Sequence, residues 1–145
     1  MNRSLSLVAA ALALILALPA AGDAADIARG RKKIGEIVLG DKSGNDFAIE
    51  GKEIKMEGGK SYRLLITSNG GKEYKFMAPE FFRNVWVNQI VINNIEIHPY
   101  GAPYALEFDV AGTVEFDFVP IRTGTYDWVI SGFEAQGMTG KLIVE

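Results

Sequence analysis

From Ile34 to Val144 the chain alternates apolar and polar residues in short runs, and each run ends in turn-forming chemistry. A strand sends successive side chains to opposite faces, so this period of two predicts strands. The expected strands are residues 34–39, 47–49, 53–56, 62–67, 73–77, 105–109, 113–119, 125–131 and 141–144, with one or two more in 87–97 around Asn93-Asn94. Gly58-Gly59 and Ser68-Asn69-Gly70-Gly71 supply turns between them. Pro79 closes the strand before it, and residues 80–85 read as one helical turn in a loop. His98-Pro99-Tyr100-Gly101-Ala102-Pro103 reads as a loop, because proline cannot donate to a ladder. Residues 105–109 and 113–119 are expected to pair about the Ala111-Gly112 turn, with Phe116 and Phe118 on a core face and Glu115 and Asp117 on a wet one. Short strands, regular turns and almost no helical periodicity predict an all-β sandwich or barrel of one domain.

The first residues change the picture of location. Met1-Asn2-Arg3, an apolar run from Leu5 to Leu18, and Pro19-Ala20-Ala21-Gly22-Asp23-Ala24 have the order of a secretory leader. The run is shorter than the ~20 apolar residues that span a bilayer, so a leader cleaved near Ala24 is expected. Residues 1–24 are then the signal peptide, 25–33 a short helical or partly ordered lead-in, and 34–145 the folded domain of a periplasmic protein. The chain has no cysteine, so disulfides and thiolate chemistry are excluded and packing must supply the stability. A net charge of −3 with the signs interspersed leaves no footprint for nucleic acid.

Pro120-Ile121-Arg122-Thr123-Gly124-Thr125-Tyr126-Asp127-Trp128, followed by Gly137-Met138-Thr139-Gly140-Lys141-Leu142-Ile143-Val144, resembles the end of a cupredoxin. In that family a Pro-x-x-x-Gly-x-Tyr-x-aromatic strand leads into Cys-x-x-His-x-x-x-x-Met, and Gly-x-(Ile/Leu)-x-Val completes the fold. The resemblance covers the last quarter of the chain and implies a Greek-key β-sandwich. Its spacing sets Met138 at the methionine ligand, Ile130 at the cysteine and Phe133 at the histidine, with Tyr74 or Glu73 at the upstream histidine. A blue-copper centre needs the thiolate and two imidazoles, so none is expected. Ala78-Pro79-Glu80-Phe81-Phe82-Arg83, together with Pro120 to Tyr126, also resembles periplasmic cupredoxin-like proteins of bacterial iron and copper uptake systems. That second resemblance implies copper or ferrous-iron handling beside a membrane metal transporter or oxidase component.

Two readings of the former ligand end follow. In the first it is rebuilt: Met138, Met77 and His98 favour Cu(I), since soft ligands select it, while Glu73, Glu80, Glu96 and Glu134 with His98 offer Fe(II) a harder set. Docking would then use an exposed aromatic loop of Phe81 and Phe82, with Trp86 beside it. In the second reading the methionines merely pack, the acids are solvated, and the chain is a metal-free cupredoxin-like protein-interaction module. His98 is the single histidine, which excludes a multi-histidine site within one chain. Catalysis finds no support, because Ser131 has no histidine at a suggestive spacing and no glycine run opens a helix after a strand.

Overall fold

The computed structural model describes residues 29–145. The expected leader and residues 25–28 of the lead-in lie outside the described residues. The strands are β1 (Lys32–Leu39), β2 (Ile49–Glu50), β3 (Glu53–Met56), β4 (Tyr62–Ser68), β5 (Tyr74–Met77), β6 (Val85–Ile92), β7 (Ile95–Ile97), β8 (Leu106–Phe108), β9 (Gly112–Pro120), β10 (Gly124–Ile130) and β11 (Thr139–Val144). A one-turn helix, α1 (Pro79–Phe82), and a 3₁₀ turn at Glu134–Gln136 complete the elements. The strands build a sandwich of two sheets, one ordered β2-β1-β4-β9-β6-β7 and the other β3-β11-β10-β5-β8. β1 runs parallel to β4 and β3 parallel to β11, and the remaining pairs are antiparallel.

Alternation decides what each strand buries. β4 turns Tyr62, Leu64 and Ile66 inward, β9 turns Phe116 and Phe118 inward, and β10 turns Tyr126, Trp128 and Ile130 inward. At Gly140 the β11 backbone passes so close to the Trp128 ring and the Lys52 carbonyl that a Cβ would collide with both, so only glycine fits there. Asn93 and Asn94, at φ 51° and 64°, make the tight turn that splits residues 87–97 into β6 and β7.

Three expectations are corrected. Lys32 and Lys33, placed in the lead-in, belong to β1 and pair with Tyr62 and Arg63. The expected hairpin of 105–109 with 113–119 does not form: β8 pairs with β5, and β9 lies in the other sheet between β4 and β6. β9 pairs along most of its length with two long strands, far more ladder than the short β8 offers, and the corner at 109–111 carries the chain across. Asp117 is also not wet. Its side chain is fully buried, bonded to Arg31 Nη1 at 2.6 Å and to Arg63 Nε and Nη2 at 2.7 and 2.8 Å.

Arg63 also pairs with Glu115, so one guanidinium bridges two carboxylates on the outer face of β9. The Asp117 hydrogen bonds, aided by both negative charges, hold the Arg63 guanidinium above its usual pKa against the cost of its partial burial. Arg31 ties the chain before β1 onto the same carboxylate. Asp117→Ala removes charge-assisted bonds from both arginines and is expected to cost roughly 2 kcal/mol in urea denaturation. A loss no larger than that of Glu115→Ala would contradict the central place given to Asp117.

Candidate functional site

The residues that the cupredoxin spacing singles out meet at one end of the sandwich. β10 ends at Ile130, whose N–H bonds to the Met138 carbonyl at 2.9 Å. The Phe133 N–H returns to the Ile130 carbonyl at 3.0 Å, and the Met138 N–H bonds to the Phe133 carbonyl at 3.2 Å. Gly137, left-handed at φ 79°, closes the 3₁₀ turn and aims the chain into β11. β5 joins this loop through Ser131 N–H to the Lys75 carbonyl at 2.9 Å, which sets Tyr74 beside it.

Ile130, Met138 and Tyr74 are fully buried, and Phe133 lies over them half-exposed. The Phe133 ring meets Phe47 edge-on at 5.5 Å and Tyr74 edge-on at 6.3 Å. The Tyr74 hydroxyl donates to the Asp46 carbonyl at 2.8 Å, with Asn69 Oδ1 at 3.1 Å. Burial, and then the nearby Asp46 charge, raise the phenol above its ordinary pKa. This end is a closed aromatic and aliphatic plug pinned to a surface loop by one phenol. Its donor set is a single buried thioether among hydrocarbon, which does not fit a copper centre.

The proposed ligands are dispersed. Met138 is 0% exposed and belongs to the core cluster. Met77 follows the inward Phe76 in β5, so it stands on the outer face of the same sheet, in a depression with Pro79, Glu80 and Asp127. The two thioethers therefore face opposite sides of one sheet. His98 follows β7 at the edge of the other sheet, with Nε2 3.6 Å from Glu96 Oε2 and Nδ1 3.4 Å from the Asn88 carbonyl. Glu96 also accepts from Gln89 Nε2 at 3.2 Å.

The remaining acids have other neighbours. Glu73 sits by Glu107 and Asp109, and the hydrogen bond it shares with Glu107 raises its carboxyl pKa. Glu80 pairs with Arg83 at 3.2 Å, and Glu134 starts the 3₁₀ turn at the surface. Of the candidate ligands, His98 meets Glu96 and Met77 shares a depression with Glu80, and among the described residues no three His, Asp or Glu side chains form a metal-holding group.

The aromatic loop needs a correction as well. Phe81 and Phe82 are 1% and 5% exposed, because α1 lies across the gap between the sheets and turns both rings inward. Trp86, in contrast, is 46% exposed on β6. Two features went unread in the sequence, the phenol anchor of Tyr74 and the ring of Phe47 that covers Phe133. A tyrosine in an inward strand position is the cue for such an anchor, since a buried hydroxyl requires a partner.

No protein-family model matches the sequence, and no curated protein matches it either. Among solved structures, a multi-copper oxidase from Pediococcus acidilactici superposes with a TM-score of 0.57 at 11% identity, over 85% of this chain and 28% of that one. A Cu-containing nitrite reductase from Thermus scotoductus gives 0.56 at 13% identity, over 81% of this chain and 32% of that one. A multicopper oxidase from Campylobacter jejuni gives 0.52 at 12% identity, over 79% and 30%. The fold is a cupredoxin-like β-sandwich. This chain spans about a third of the length of those enzymes, and at such identities the likeness is one of fold. Within the cupredoxin-like frame, the plug of Tyr74, Ile130, Phe133 and Met138 is what this chain builds at the end that the resemblance to the cupredoxin ligand loop singles out.

The phenol anchor has a pH signature. A phenol pKa raised in the fold favours its neutral form, so the associated stability is present below the unfolded value of about 10 and is lost as pH rises through the folded value. Tyr74→Phe is expected to lower stability by about 1 kcal/mol at pH 7 and to weaken the fall in stability above about pH 10. Denaturation midpoints across that range check this, and identical alkaline falls in both proteins would refute it.

Proposed function

We propose that this chain is an exported, non-enzymatic cupredoxin-fold binding module that works without a metal centre and engages a protein partner through an outer sheet face carrying Trp86. The observation that supports it is the plug. Its hydrocarbon side chains occupy the end of the sandwich from which the loop before β11 departs, and Met138 shows no surface to an incoming ion. Copper or ferrous-iron handling at this end would require Met138 to leave the core and Met77 to reach it from the opposite face of the sheet.

Binding then falls to the surface. Trp86 pairs with Val119 across the β6–β9 ladder, and Ile121, whose N–H bonds to the Asn84 carbonyl at 2.9 Å, stands exposed just beyond. An exposed tryptophan beside aliphatic side chains is the composition in which binding energy concentrates. A membrane metal transporter or oxidase component would be one such partner.

Two measurements test the proposal. Elemental analysis and titration with Cu(I) and Fe(II) are expected to find no stoichiometric metal in wild type. Met138→Ala is expected to leave that result unchanged while costing about 2–5 kcal/mol of stability through the cavity it opens. Stoichiometric uptake abolished by Met138→Ala would sink the metal-free reading. A photo-crosslinking residue at position 86 is expected to yield one discrete adduct in the producing cells. The same residue at position 55, on the exposed face of β3, is expected to yield none.

A further inference from the structure

The sandwich has four edge strands among the described residues, β2 and β7 in one sheet and β3 and β8 in the other. A free edge offers unpaired N–H and C=O groups, and proteins blunt such edges with charge or brevity. β2 has two residues, β3 turns Glu53 and Lys55 outward, and β8 turns out Glu107, which is paired with Lys75 at 3.2 Å. β7 differs. Its sequence is Ile-Glu-Ile, and Ile95 and Ile97 are 66% and 45% exposed although they pair with Ile92 and with the core residue Ile90. They stand on the core side of their sheet, where the facing sheet does not cover them.

We propose that two copies of this chain pair antiparallel through β7, on a two-fold axis at Ile97, and so join their larger sheets edge to edge. This goes beyond the partner face at Trp86 and uses a different surface. The register follows from the hairpin. A two-residue turn of this hand closes with the backbone groups of Ile92 and Ile95 facing one another, and alternation then turns the Ile97 groups toward β6 and the Glu96 groups outward. His98 continues that outward side.

Pairing centred on Ile97 sets Glu96 of each copy opposite the second copy's His98. Each such pair can exchange two backbone hydrogen bonds. Pro99, which lacks an N–H, falls on the side facing β6, so the new ladder loses nothing to it. The side chains agree with the same register: each Glu96 carboxylate meets an imidazole, and Ile97 meets Ile97 on the other face. Centring on Glu96 would instead oppose two carboxylates, which is unfavourable across strands.

Sedimentation equilibrium on the protein as the cell produces it tests the proposal. Wild type is expected to dimerise, and Ile97→Lys to be monomeric with an unchanged circular dichroism spectrum. His98→Glu is expected to weaken the dimer at least about tenfold by opposing two carboxylates, Glu96→Lys to weaken it by removing the carboxylate that meets the imidazole, and their combination, which sets lysine against carboxylate, to restore it. These exchanges at exposed positions report on the register even if Ile97→Lys disturbs the hairpin. A monomer up to about 1 mM, a dimer indifferent to Ile97→Lys, or single exchanges that fail to rescue one another would overturn it.

Discussion

Two adjacent phenylalanines hold the layers of this protein together. Phe81 meets Phe118 of β9 edge-on at 5.2 Å and Tyr126 of β10 at 5.7 Å, so one ring touches both sheets. Phe82 does the same with Phe116 of β9 at 5.5 Å and Phe76 of β5 at 6.3 Å. With no cysteine to cross-link the sheets, interlayer contacts of this kind must carry the stability. Pro79 starts the helical turn that aims both rings inward, and the strand that ends there can therefore feed the core instead of an exposed loop.

That bridge explains much of what the strand pattern could and could not reveal. The period of two placed nearly every strand, because most of them bury one face and expose the other. Partner choice is a long-range competition that no local pattern records, and so β8 and β9 were expected to form a hairpin when they belong to different sheets. Asp117 occupies an outward position of β9 and reads as wet; only the arrival of Arg31 and Arg63 from distant segments buries it. Phe81 and Phe82 beside a proline read as exposed for the same reason, since the direction of a single helical turn depends on what it lands upon.

The candidate site divides along similar lines. The grouping of Ile130, Phe133 and Met138 was implied by the resemblance to the cupredoxin ligand loop, and their hydrogen bonds to one another bring them into one compact turn. Met77 and Met138 were expected in one site and stand apart. Met77 follows Phe76, and an inward aromatic in a strand sends its neighbour outward. His98 lies at the edge of the larger sheet, where its neighbours Glu96 and Asn88 belong to the β6–β7 hairpin. Chemistry that looks collected in a list of ligand-type residues is here spread over two sheets and both their faces.

On the proposed reading, a cupredoxin-like frame with a hydrocarbon plug places the burden of function on its surfaces, and the plug is part of the core that Phe81 and Phe82 organise. Methyl NMR of methionine-labelled protein, titrated with Cu(I), tests this most directly, because it reports on Met138 separately from the outward Met77. The account predicts that the Met138 methyl resonance stays where it is at one equivalent of Cu(I). A Met138 shift that saturates at one equivalent would contradict it.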